Sequence, residues 1–284
     1  VLYTIHFEGT SASISSTGAE LQSLSGEDGQ EVIWQGDPDI WSGRAPILFP
    51  IVGALKDNQY SYGGNHYQLP RHGFARRAEF TCIEQTNDSV ALHLPADSGS
   101  LQVYPWQFEL TVRFSVQDGR LLVRYSVANR DTGAMIFTIG SHPAFALQHA
   151  PSEYAIQFSE TETLERFPLT ADGLLLPGVD YLQQSDSIAL TETIFDDDAL
   201  VFKDIRSQTI SLCHGDKPVI SVDTGGAPHL GIWAKPAARF VCIEPWFGFS
   251  DEADGGGAIE KKPAMQSLAA GEQFTCDWSI ALHR

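Results

Sequence analysis

At 284 residues, with 43% apolar and 19% charged side chains, the chain can bury a large core and is too apolar for extensive disorder. Its 18 Lys and Arg against 36 Asp and Glu give a formal net charge of −18, which argues against nucleic acid or an anionic membrane surface as a partner. Cys82, Cys213, Cys242 and Cys276 form no CxxC pair, so neither a zinc ribbon nor a redox motif is indicated; free thiols in a reducing cytoplasm are expected, buried at Cys242 and Cys276.

The amino-terminal run Val1–His6 alternates like a first strand and lacks the pattern of a signal peptide. No stretch of about 18 apolar residues occurs, so a soluble cytoplasmic protein, monomer or homodimer, is expected. Glu31–Trp34 reads as a short strand and Asp37–Trp41 as a short helix. Val90–Leu94 is a further strand. Phe108, Leu110, Val112, Phe114 and Val116 then alternate with polar residues up to Asp118-Gly119, and Leu121, Val123, Tyr125 and Val127 alternate on the return, which predicts a β-hairpin. Ala155–Phe158, Ile210–Cys213, Val219–Val222 and Leu230–Trp233 continue the series. The run Arg239–Glu244 should be a strand stopped by Pro245 and Trp246; Pro263–Leu268 is a second helical candidate, and Phe274–Ile280 a closing strand. Helices able to serve as βαβ crossovers are lacking, so the pattern predicts a single large all-β antiparallel domain over residues 1–284 with few short helices.

Five segments combine ionisable residues with turn formers or aromatics. On a pleat of period two, Glu244 shares a face with Phe240 and Cys242, which places a carboxylate either at the rim of a core, where lost water raises its pKa toward a general base, or at a solvated strand end. Arg44, in Gly43–Pro50, is a turn arginine or a fork for hydroxyls or phosphate. Arg71-His72-Gly73-Phe74-Ala75-Arg76-Arg77 inverts the local charge of an acidic chain, either as a ligand site or as a balance for neighbouring acids. His142, between Ser141 and Pro143, suits proton transfer near neutral pH, although lone histidines are more often structural. In the run Asp196-Asp197-Asp198 the last member, next to the following strand, is the one expected to point inward. Trp246 is an apolar platform or simply core. A metal triad of His72, His142 and Glu244 finds no support in close His-x-His spacing, so neither metal nor cofactor is expected.

In this order, GRAPILFP, RHGFAR, SHPAF, DDDALVF and IEPWFGF resemble the aldose 1-epimerase (galactose mutarotase) family from Trp41 to the closing strand. The resemblance implies a β-supersandwich and cofactor-free interconversion of the α and β anomers of a hexose. It also implies Glu244 as general base, His142 as general acid, and His72, Arg44, Arg76, Asp198 and Trp246 around the sugar, with Asp197 a rival to Asp198. Where galactose mutarotases carry Asn-Arg-Ile this chain has Leu48-Phe49-Pro50, and its arginine pattern is closer to the hexose-6-phosphate mutarotase branch, in which arginines in these regions help bind phosphate. The alternatives are therefore a hexose-6-phosphate mutarotase, a carbohydrate-binding or sugar-sensing protein without catalysis, and a glycosidase with paired carboxylates. His142, standing where a glycosidase would want a carboxylic acid, counts against the last.

Overall fold

The computed structural model describes residues 1–236 and 238–283. Its largest sheet has nine antiparallel strands, in spatial order Val179–Ala189, Tyr154–Arg166, Thr209–His214, Lys217–Asp223, Gln273–Leu282, Arg120–Asn129, Phe108–Gln117, Ser89–Pro95 and Thr81–Gln85. The hairpin predicted from alternation forms its centre. Val116 pairs with Leu121, Phe114 with Val123, Val112 with Tyr125 and Leu110 with Val127, all buried, while Asp118 and Gly119 adopt the positive φ values of a two-residue turn. Because side chains alternate, the same pairing places Arg113 and Arg124 on the outer face, where they meet Glu84 and Asp277.

The second sheet is smaller and holds Glu244, with His142 just past the end of one of its strands. Its strands run Leu200–Phe202, His229–Trp233, Phe240–Phe247, Ile139–Ser141 and Ile47–Leu48, with Ala144–Ala146 also pairing to Phe240–Phe247. One apolar cluster joins the two sheets, including Phe108, Phe114 and Val123 from the first and Phe202, Ile232 and Phe240 from the second. A smaller cluster of Leu48, Val52, Leu175, Ala199, Val201, Trp246 and Phe249 lies apart from it.

Several short elements differ from the sequence reading. Glu31–Trp34 is not a strand but an extended segment with isolated bridges at Glu31 and Ile33. Asp37–Trp41 and Pro263–Leu268 are not helices: the first is a turn held by Trp41 N–H donating to the Asp37 carbonyl at 2.7 Å, and the second is a turn leading into the strand Gln266–Leu268, which pairs with Met135–Phe137. Both fragments are too short to recover the cost of helix nucleation. Pro245 does not end its strand, which continues to Phe247. Ile243 donates its N–H to the Pro143 carbonyl at 3.3 Å, so by alternation the N–H that Pro245 lacks would also face that side. There the ladder is interrupted between Ser141 and Ala144, and no bond is forfeited.

Candidate active site

Glu244 comes from the middle of the central strand of the second sheet and is 1% exposed. His142 follows the neighbouring strand Ile139–Ser141, which pairs with Trp246 and Phe247 through Gly140 and Ile139. That adjacency brings His142 Nε2 to 3.4 Å from Glu244 Oε2, although the two residues are about a hundred positions apart. Both line a cavity of about 270 Å³ together with Trp41, Arg71, His72, Arg76, Leu169, Leu175, Asp198, Trp233, Trp246 and Ser250. A volume just under the range of drug-sized pockets, about 300–1,000 Å³, suits a ligand the size of one monosaccharide.

The electrostatics of the pair follow from its burial. Loss of water pushes the Glu244 carboxyl well above the ordinary carboxylate range, with Asp198 adding to the rise and Arg71 and the Trp246 indole opposing it. Burial likewise lowers the His142 imidazole to about 3, its own backbone carbonyl opposing and Arg71 and Arg76 adding to the fall. The pair therefore holds one proton between two buried groups over a wide pH range. Glu244 Oε2 is buried without a hydrogen-bond partner, which leaves it available to an incoming hydroxyl. His142 is oriented by rings on three sides: it stacks on Trp41 at 5.2 Å and meets the edges of Trp233 at 5.8 Å and His72 at 5.9 Å.

His72 is held by its backbone and its ring. Its N–H donates to the Gly53 carbonyl at 2.8 Å, and the Gly53 N–H donates to His72 Nδ1 at 3.1 Å. With Nδ1 accepting, the ring proton sits on Nε2, so His72 is a neutral donor; burial first, then Arg71, His142 and Arg76, keep its pKa well below 6.5. The following Gly73 has φ +70, and a Cβ there would lie 2.2 Å from the Phe49 carbonyl oxygen, which accepts from the N–H groups of Phe74 and Ala75. Only glycine fits this crossing of two chain segments. Trp246 lies over two other glycines: a Cβ on Gly140 or Gly231 would approach its ring to 2.6 or 2.5 Å. Its indole thus lies close against the sheet backbone beside Glu244.

Among the expected site residues, Glu244, His142, His72, Arg76, Asp198 and Trp246 meet at this cavity, and Arg44 does not. The Arg44 guanidinium donates to the carbonyl and side-chain oxygens of Gln22 at 3.1 and 3.0 Å and to the Gln35 carbonyl at 2.8 Å, so it ties loops together away from the pocket. Arg71 takes the place that sequence reasoning gave to Arg44. It lines the cavity, its Nε is buried without a partner, and a Cβ on Gly173 would come within 2.8 Å of its Nη1. Arg76 donates to the Arg71 carbonyl at 3.0 Å, and among the described residues neither guanidinium is paired with a carboxylate. Asp198 lines the cavity with φ +69, whereas Asp196 and Asp197 are exposed. Trp41, Trp233 and Ser250 also line the cavity: Trp41 and Ser250 flank the GRAPILFP and IEPWFGF runs, whereas Trp233 ends a strand without such a neighbour.

The roof comes from the excursion between Tyr154–Arg166 and Val179–Ala189. Leu169 bridges to Leu175, and Leu175 donates its N–H to the Asp251 carbonyl at 2.8 Å, beneath which the buried Lys262 reaches Asp251 Oδ1 at 2.9 Å. His142, Cys242 and Glu244 place one donor atom each within 4.8 Å of one another. A thiol must ionise to hold a metal, and burial, with the Glu244 charge adding, keeps that of Cys242 protonated far above its ordinary pKa. The set therefore serves proton transfer better than metal ligation.

The aldose 1-epimerase family matches residues 1–277. Protein LacX of Lactococcus lactis subsp. lactis is 31% identical over 266 residues, covering 88% of this chain and 89% of the relative. A galactose mutarotase related enzyme from Lactobacillus acidophilus superposes with a TM-score of 0.94 at 34% identity, covering 100% of this chain and 98% of that one. A galactose mutarotase-like protein from Lactobacillus casei gives the same TM-score, 0.94, at 28% identity with all of both chains covered. With the sandwich of antiparallel sheets already in place, these matches make the chain a member of the aldose 1-epimerase family.

Proposed function

We propose that this chain is a mutarotase that opens and recloses the ring of a hexose by paired proton transfer. The observation that carries the proposal is the approach of His142 Nε2 to Glu244 Oε2, 3.4 Å apart, on the wall of a cavity of monosaccharide size. Mutarotation requires one proton removed from the anomeric hydroxyl and one delivered to the ring oxygen. The one proton the pair shares passes across the 3.4 Å gap to His142 in the reacting form, so that Glu244, as carboxylate, takes the hydroxyl proton and His142, as imidazolium, protonates the ring oxygen. The C1–O5 bond breaks, rotation about C1–C2 presents the other face of the aldehyde, and reclosure returns both protons. His72 Nε2–H and Asp198 supply a donor and an acceptor for hydroxyls, while Trp41, Trp233 and Trp246 offer apolar walls to the C–H faces. Positioned acid–base catalysis of this kind contributes roughly 10²–10⁴-fold, with orientation in a closed site adding to it.

A second reading, a hexose 6-phosphate as substrate, is favoured by one observation: Arg71 and Arg76 bring two guanidiniums to the cavity with no carboxylate paired to either among the described residues. The test is saturation-transfer NMR of anomer exchange with glucose, galactose and their 6-phosphates side by side. Exchange of the free sugars at comparable efficiency supports the first reading, and a strong preference for the phosphates supports the second. Binding of all four with no acceleration of exchange would refute both and leave a sugar-binding protein.

A further inference from the structure

We infer that the ends of two neighbouring inner strands of the large sheet carry a surface site for a divalent transition metal ion, built by His149, Glu153 and His214 and separate from the catalytic cavity. One donor atom from each lies within 4.8 Å of the others. His214 Nε2 stands 3.4 Å from Glu153 Oε2. In a tetrahedral zinc site with ligand bonds of about 2.0–2.1 Å, neighbouring donor atoms stand roughly 3.4 Å apart, so this edge of the tetrahedron is already in place. The His149 ring stacks parallel on that of His214 with centroids 4.3 Å apart. A parallel pair cannot point two in-plane lone pairs at one ion, so one ring must turn about its Cβ–Cγ bond; His149 is exposed and free to do so.

The backbone holds the three positions at fixed separation. His214 ends the strand Thr209–His214 and pairs in register with Tyr154, which directly follows Glu153. The buried Tyr154 hydroxyl accepts the N–H groups of Gln148 and His149 at 3.2 and 3.4 Å, which pins the loop bearing the first ligand. The Gly215 N–H donates to the Glu153 carbonyl at 3.1 Å, tying the second ligand to the third. Glu153 Oε1 accepts the Ala150 N–H at 3.1 Å, which orients the carboxylate and leaves Oε2 toward the histidines. Two imidazoles and one carboxylate with open positions suit Zn²⁺ or Co²⁺ rather than Ca²⁺ or Mg²⁺, which call for more oxygen ligands. His149 and His214 also line a groove of about 1050 Å³ with Glu8, Asp28 and Glu31, whose acids raise the local concentration of cations.

The test is Co²⁺ titration of the whole chain, followed by its visible absorption bands, with Zn²⁺ competition and calorimetry. The wild type should take up one equivalent of Co²⁺ and release it to Zn²⁺. His149→Ala and His214→Ala should each weaken binding at least tenfold, and the double variant should abolish it, with thermal unfolding and any sugar mutarotation unchanged. No sulfur-to-metal charge-transfer band should appear, because all three ligands are nitrogen or oxygen. Absence of binding in the wild type, undiminished binding in the folded double variant, or a thiolate band placing the ion at Cys242 would each overturn the assignment.

Discussion

Replacing Glu244 by Gln removes the base while keeping the side chain's size. The carboxylate is 1% exposed, with Oε2 unpartnered and 3.4 Å from His142 Nε2, so the amide fits the same space without creating a cavity. An amide cannot accept the anomeric proton, and the share of rate carried by positioned proton transfer, roughly 10²–10⁴-fold, should be lost, which is about 3–5 kcal/mol of barrier. Binding should change little, because His72, Asp198 and the tryptophan walls remain. Stability should move in the opposite direction to activity. The Glu244 carboxyl has a folded-state pKa raised well above 4.5, so the folded protein binds more protons than the unfolded one and the wild type loses stability as pH rises above 4.5. The advantage of E244Q over wild type should therefore grow by about 1.4 kcal/mol per pH unit above that point, until the folded-state pKa is passed. Saturation-transfer NMR of anomer exchange measures the first effect and urea unfolding at several pH values the second. Exchange within tenfold of wild type in E244Q would remove Glu244 from the base role, and a pH-independent stability difference would refute its raised pKa.

Other expectations test separate parts of the argument. The active form of the pair holds one proton, so kcat/KM for anomer exchange should stay level down to the acid limit set by His142 near 3 or by unfolding, and fall on the alkaline side as the pair loses the shared proton that His142 must deliver; an acid limb near 4.5 would contradict this. His72 and His142 have folded-state pKa values below 6.5, so their contribution to stability is full above 6.5 and is lost as pH falls, at about 1.4 kcal/mol per unit each; unfolding of H142N should show a shallower acid dependence. Gly73→Ala should cost at least about 2 kcal/mol, from a left-handed backbone and a Cβ 2.2 Å from the Phe49 carbonyl oxygen, read as a lower urea midpoint. Arg44→Met should lower stability by about 1–3 kcal/mol through lost bonds to Gln22 and Gln35 while leaving KM for the sugar unchanged; a large rise in KM would return Arg44 to the site.

The large sheet was legible because its central hairpin has one buried and one open face, so Phe108 to Val127 alternates cleanly in sequence and in burial. The second sheet was harder to read. Phe240 to Trp246 is buried throughout, so the run has no period, and Pro245 looked like an end because the interruption of the neighbouring strand at His142 and Pro143 cannot be seen along one segment. Glu244 and His142 could be picked out as ionisable residues ending apolar runs, but their meeting depends on strand order. Arg44 and Arg71 show the limit most plainly. Both stand in basic, glycine-containing turns, and only the packing sends one to Gln22 and the other to the cavity. Trp41 and Trp233 carry no signal that separates a cavity wall from ordinary core.

Leu169 and Leu175 hang over the cavity from an excursion of the large sheet, while the proton-transfer pair is fixed in the smaller one. The excursion is fastened at Leu175 to the backbone of Asp251 and Ala253, so the exposed Ala171 and Asp172 can be exchanged without disturbing the residues below, whereas a Cβ on Gly173 would press on Arg71. Under the proposed function, part of the lining above a bound sugar and the groups that move its protons are thus encoded on separate pieces of chain, free to diverge at different rates.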